Sequence, residues 1–203
     1  MSHDAAPSPL LHAHWSRVDK SVMETFSAEE WAMLARQRDE YQRQEQGRQA
    51  LRLLAASETD ATFGYPVNNF RHCLQAATRA WRDGCDEETV VVSLLHDIGF
   101  IVCPQSHGAF AAALMGSYIS ERNHWMLEHH ALFLDAHAAT DARLDPRARE
   151  RWQGHPHFEW TARFVERYDQ VSLDPAYECA PLSFFEPMVM RVFSRAPRPR
   201  LIA

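Results

Sequence analysis

Apolar residues in this chain recur at three- and four-residue spacing, and the segments that carry them are broken by turn signals rather than by alternating runs. The pattern suits amphipathic helices and leaves little material for a sheet. Ser27-Ala28-Glu29-Glu30 reads as a capping box, in which serine and glutamate satisfy each other's free amides, opening a helix to about Ala56. Between Arg36 and Gln49 that helix is very polar, which predicts a solvated or partner-facing arm with an interruption at Gly47. Asn68 or Asn69 can cap a second segment that carries Phe70, Cys73, Leu74, Ala77 and Trp81 and stops at Asp83-Gly84. Asp86 opens a third through Val90, Val91, Leu94 and Leu95; its β-branched residues would also suit a strand, but the acidic opening and the spacing favour a buried helix. Further helices are predicted from His107 to about Tyr118, from Glu121 to about Ala138, from Asp145-Pro146 toward Trp152, from Phe158 to Tyr168, and from Leu182 to about Phe193. The expected fold is all-α, a helical bundle over residues 58–203 preceded by a tail and helical extension over residues 1–57, the tail running to about residue 20.

A chain of 203 residues with 46% apolar content can bury one substantial core, so a single bundle domain is expected. The net charge of -6 and the lack of a basic run argue against nucleic acid as a partner, while the arginines leave room for a small-molecule substrate that is anionic. No stretch approaches the ~20 continuous apolar residues that cross a bilayer, so no membrane association is expected. Cys73, Cys85, Cys103 and Cys179 lack a close-paired pattern and the N-terminus lacks a signal-peptide pattern, which predicts reduced thiols in the cytoplasm. The long polar helix before residue 57 offers a surface for another protein or for a second copy of the chain, as in a homo-oligomer.

His96 and Asp97 are adjacent at the end of the apolar third segment. Side by side, an imidazole supplies one nitrogen to an ion while a carboxylate, with two acceptor oxygens, can bridge to a second ion. His72, His107, His129-His130 and Asp169 lie at or near the ends of, or within, other helical segments, too far apart in sequence for local geometry to join them. Each could instead make an ordinary hydrogen bond or face water. Burying so many ionisable groups without a compensating partner would be costly, so the set as a whole predicts metal binding.

These surroundings resemble the HD-domain superfamily, and within it the mixed-valent diiron oxygenases, the family of the oxygenase that cleaves 2-amino-1-hydroxyethylphosphonate and, more remotely, of myo-inositol oxygenase. The likeness covers roughly residues 63 to 193. It rests on His72-Cys73-Leu74-Gln75, Leu95-His96-Asp97-Ile98-Gly99, Ser106-His107-Gly108-Ala109, Leu127-Glu128-His129-His130, Trp152-Gln153-Gly154, Arg167-Tyr168-Asp169 and Pro181-Leu182-Ser183-Phe184-Phe185. The resemblance implies that His72, His96, Asp97 and Asp169 surround one iron and that Asp97, His107 and His130 surround its neighbour. His130 fits the register better than His129, which would then serve in the core or orient a ligand. The implied cofactor is a pair of iron ions, mixed-valent Fe(II)/Fe(III) when active, with O2 as co-substrate. At the substrate positions the chain departs from the pattern: Phe100 stands where relatives have a histidine, Leu134 where a lysine would bind phosphonate, and Thr62-Phe63 near an expected tyrosine.

The reaction the resemblance implies is oxygen-dependent cleavage of a C-P or C-C bond in a small hydroxylated substrate. The same ligand set would also serve hydrolysis of a phosphate ester, with the ions activating water, and a non-enzymatic metal-dependent interaction module is a third reading. Arg163 and Arg167, shortly before Asp169, are candidates for binding an anionic group of the substrate in bidentate fashion, with simple surface salt bridges as the equal alternative. Arg71, Arg79 and Arg82 could also face an anion, although exposed helix charge is the simpler role.

Overall fold

The structure is a computed structural model that describes residues 15–198; of the predicted tail, residues 1–14 lie outside the described residues. Among the described residues there is no strand: α-helices, short 3-10 turns and one π turn account for the regular structure. α1 spans Ala28–Ala56 and begins in the predicted capping box, with the Glu30 amide donating to Ser27 Oγ at 3.2 Å and the Ser27 amide to Glu30 Oε2 at 2.7 Å. The expected interruption at Gly47 does not occur. Gly47 is instead a point of close approach to α7 (Leu182–Phe193), where a Cβ would lie 3.1 Å from Met190 Sδ and 3.3 Å from Phe193 Cβ. Before Glu45 no residue of α1 is buried, whereas Ala50, Leu51 and Leu54 join the hydrophobic core beside α7. The solvated-arm reading therefore describes the first half of the helix only.

α2 (Asn69–Arg82) and α3 (Glu87–Leu95) pack side by side at the centre. Asn68 caps α2 by accepting from the Arg71 amide at 3.0 Å, and Asp86 caps α3 by accepting from the Thr89 amide at 2.7 Å. Every residue of α3 from Thr89 to Leu95 is buried, which accounts for its strand-like composition: a helix enclosed on all sides needs no polar face. α4 (His107–Met115) and α5 (Glu121–Leu134) form a neighbouring pair. Both are shorter than predicted. α4 ends at Gly116, and α5 passes into a 3-10 turn over Asp135–His137.

The stretch from Asp145 is not an α-helix. Asp145 Oδ1 accepts from the Arg147 amide at 2.9 Å, and only a 3-10 turn over Ala148–Trp152 follows. With five charged residues from Asp145 to Arg151 and the single apolar anchor Trp152, it has no face to bury, and so short a helix is marginal without one. α6 (Phe158–Phe164) ends before the predicted Tyr168 and continues as a π turn over Val165–Asp169, marked by the Gln170 amide donating to the Val165 carbonyl at 3.0 Å. Phe133, Phe164, Phe185 and Phe193 anchor the core, each fully buried and each contributing about 1.5–3 kcal/mol by its removal from water. No helix among the described residues is long and apolar enough to cross a membrane.

Candidate metal centre

Successive elements each deliver part of one cluster. His72 comes from the first turn of α2, His96 and Asp97 from the tight turn that ends α3, His107 from the first residue of α4, His130 from α5, and Asp169 from the π turn after α6. All except Asp97 and His107 are nearly inaccessible to solvent, and those two are only partly exposed. Asp97 lies between two sets of imidazoles. Its Oδ1 is 3.1 Å from His130 Nε2 and 3.2 Å from His107 Nε2, while its Oδ2 is 3.5 Å from His72 Nε2 and 3.8 Å from His96 Nε2. Asp169 Oδ1 completes the second set at 3.4 Å from His72 Nε2 and 3.6 Å from His96 Nε2.

The outer nitrogens fix the character of the inner ones. His72 Nδ1 faces the Ser172 carbonyl at 3.1 Å, His96 Nδ1 that of Ser93 at 2.8 Å, His107 Nδ1 that of Pro104 at 2.7 Å, and His130 Nδ1 that of Leu127 at 2.8 Å. A carbonyl can only accept, so each Nδ1 carries a proton, and Nε2 is the nitrogen each ring aims inward at the cluster. Yet the Nε2 atoms of His72 and His96 lie 3.1 Å apart, as do those of His107 and His130. Two lone pairs at that distance repel unless a proton or a cation sits between them. Donors bound at about 2.0–2.2 Å to one ion stand roughly 3–3.6 Å apart, so the two sets have the spacing of ligands around two ions. Asp169 Oδ2 is buried without a hydrogen-bond partner, a further acceptor that a cation would satisfy.

The electrostatics point the same way. Burial pushes the His96 imidazole down, but the carboxylates of Asp97 and Asp169 overcome it and raise its pKa to about 9. Burial would also raise both carboxylates, and the surrounding imidazoles outweigh it, holding Asp97 and Asp169 below the ordinary carboxylate range. His107 moves the other way, lowered by burial and by His130 against the attraction of Asp97. The pocket thus draws positive charge toward its two carboxylates. Nitrogen and oxygen donors in this mixture suit a first-row transition ion such as iron, manganese or zinc.

Backbone geometry is used to hold these ligands. Asn69 crosses from α2 and donates its side-chain amide to the Asp97 carbonyl at 2.9 Å. Gly108 lets α4 sit against α5: a Cβ there would lie 2.4 Å from the Leu127 carbonyl oxygen and 3.2 Å from the His130 ring. Of the tandem pair, His130 faces Asp97. His129 turns outward, donating from Nδ1 to the Trp125 carbonyl at 2.9 Å and stacking on the Trp125 ring at 4.0 Å, with His155 on the other face at 4.2 Å.

A cavity of about 270 Å³ reaches the cluster from the side of His72, Asp97 and Asp169. Thr62, Phe63, Phe100 and Leu134, the positions where the sequence departs from the oxygenase pattern, all line it. Tyr65 and His137 line it too, and the sequence had given neither a role there. Arg163 and Arg167 are not among its lining residues. Arg167 pairs with Asp83 at 2.8 Å on the exposed side of the helix, and Arg163 lies over the Trp160 ring at 5.4 Å, because the turn that buries Asp169 carries them away from the cavity. Arg71 likewise donates to the carbonyls of Pro175 and Tyr177, while Arg79 and Arg82 lie over the Tyr177 ring at 4.0 and 5.0 Å. Compared with known protein families and with curated proteins, the chain matches none.

Proposed function

We propose that this chain is an HD-domain non-haem diiron oxygenase that uses O2 to cleave a C-C or C-P bond in a small hydroxylated substrate. One observation carries the dinuclear part of the reading: the two oxygens of Asp97 are divided between two separate imidazole sets, the arrangement a carboxylate adopts when it bridges two ions. His72, His96, Asp169 and one Asp97 oxygen would hold the first iron, and His107, His130 and the other Asp97 oxygen the second. When bound, an iron pair would supply Lewis acidity toward a substrate hydroxyl and redox chemistry toward O2.

The protein's own groups orient and enclose. Four carbonyl contacts lock the imidazole tautomers, so the ligands need not reorganise as charge at the centre changes. Asn69 fixes the turn that bears Asp97. The His107–His130 set has three protein donors against four in the His72–His96 set, which leaves room there for a small exogenous molecule. The cavity admits a substrate beside His72, Asp97 and Asp169, and its apolar walls limit water at the reacting atoms. The choice of oxygenase over hydrolase rests on the sequence resemblance.

The test is anaerobic reconstitution with iron, followed by electron paramagnetic resonance during controlled oxidation and addition of hydroxylated substrates. A coupled mixed-valent signal that substrate perturbs, followed by O2-dependent product formation, is expected. Metal-dependent phosphate release from a phosphate ester under strictly anaerobic conditions would assign the site to hydrolysis.

A further inference from the structure

Phe63, Val67, Phe100, Leu134 and Leu173 supply most of the apolar lining of the cavity, and among the described residues no lysine or arginine lines it. The polar side chains that do line it are largely engaged with the protein. Asn68 caps α2 and donates to the Glu58 carbonyl, Asn69 donates to the Asp97 carbonyl, and Gln170 donates to the Glu166 carbonyl. Tyr65 and His137 stand at the exposed rim.

Phe63 has φ of 54°, in the left-handed region that a side-chain-bearing residue rarely occupies, and its ring meets Phe100 edge-on at 6.3 Å. Phe100 in turn meets the ring of His107 at 5.7 Å, so a run of aromatic rings leads from the mouth to the cluster. The volume would hold about nine water molecules, which limits the occupant to a small molecule.

We propose that the cavity selects a small hydroxylated molecule whose body is apolar and uncharged, the hydroxyl end directed at the cluster and the hydrocarbon end packed on Phe63, Phe100 and Leu134. The orientation of the hydroxyl rests on the dinuclear reading above; the preference for an uncharged body rests on the wall. A phosphonate, phosphate or second carboxylate at the far end would have to shed its water with no lysine or arginine in the lining to receive it.

The test is calorimetric binding of 2-hydroxy acids to the full chain loaded with iron(II) under anaerobic conditions, where no turnover intervenes. From 2-hydroxypropanoate to 2-hydroxyhexanoate, each added methylene should tighten Kd by about three- to fourfold until the cavity is filled. 2-Hydroxysuccinate, with a charged tail, should bind about tenfold or more weakly than 2-hydroxyhexanoate. Leu134→Lys, at a partly exposed position, should reverse that ranking. Wild-type protein that binds 2-hydroxysuccinate as well as or better than 2-hydroxyhexanoate, that ignores chain length, or that binds none of the series overturns the proposal. Iron content measured on the same sample separates the two readings: iron bound with the wrong ranking overturns the substrate class alone, and iron not retained overturns both.

Discussion

Asn69 donates its side-chain amide to the backbone carbonyl of Asp97 across the junction of α2 and the turn after α3, at 2.9 Å. It touches neither oxygen of the Asp97 carboxylate, yet it fixes the backbone from which that carboxylate projects. Groups that orient ligands in this way are worth about 10–100-fold in metal affinity, so Asn69→Ala should weaken metal binding by that factor in a competitive chelator titration. Circular dichroism should be unchanged, because the cap of α2 belongs to Asn68. Unaltered affinity would remove Asn69 from this role.

Two effects compete at Gly108. Alanine is favoured over glycine inside a helix by about 1 kcal/mol. Against this, the new Cβ would meet the Leu127 carbonyl at 2.4 Å, and neither backbone can yield without moving His130. Overpacking of this kind costs about 1–3 kcal/mol, so Gly108→Ala should lower Tm by several degrees despite its better propensity. It should also reduce metal occupancy at the His107 and His130 set. A raised Tm in thermal denaturation would contradict the close contact.

Glu88 ties three parts of the bundle together away from the metal centre. Its Oε1 accepts from the Ser120 amide at 2.7 Å and from the Asn123 side chain at 2.9 Å, and its Oε2 pairs with Arg195 at 2.5 Å. Burial pushes this carboxyl up, but those partners outweigh it and lower its pKa below 4.5. A carboxylate depressed in the folded state stabilises it fully above the unfolded value and loses that contribution as pH falls through the folded one. Glu88→Gln should therefore cost about 1–3 kcal/mol at neutral pH, and the gap from wild type should close as pH drops below about 4.5. Urea denaturation at several pH values reads this directly; a gap independent of pH would show that the charge contributes nothing.

Removing the ions should be felt globally, because four imidazoles and two carboxylates from separate elements would otherwise be held together by shared protons alone. A ligand present at 100 times its Kd stabilises the folded state by about 2.7 kcal/mol. Adding a chelator should thus lower Tm by roughly 5–10 °C, and restoring a divalent ion should recover it. Identical melting with and without chelator would mean that no ion is bound.

Much of the fold is legible in the sequence where local chemistry decides it. Ser27, Asn68 and Asp86 are side-chain caps whose effect needs no tertiary contact, and α7 has the predicted bounds Leu182–Phe193. Val90–Val92 could be read correctly only by weighing the acidic opening against β-branching. The segment after Asp145 misled because a good helix start lacks force without an apolar face behind it. At the site, the placing of His72, His107 and Asp169 beside His96 and Asp97 is a property of packing that no spacing encodes. Arg163 and Arg167 show the same limit in reverse: near Asp169 in sequence, they are taken to another surface by the direction of the helix. Asn69 was visible only as an alternative cap, and its bond to Asp97 depends on the contact between α2 and α3.

The bridging role proposed for Asp97 is tested most directly by metal stoichiometry. Iron per chain should be measured by plasma mass spectrometry after anaerobic loading and desalting, in wild type and in Asp97→Ala. The geometry predicts two ions per chain for wild type. It predicts at most one for the variant, with loss of the coupled spin signal. A saturated wild-type protein holding a single ion, or an Asp97→Ala protein that keeps two coupled ions, would contradict the dinuclear centre.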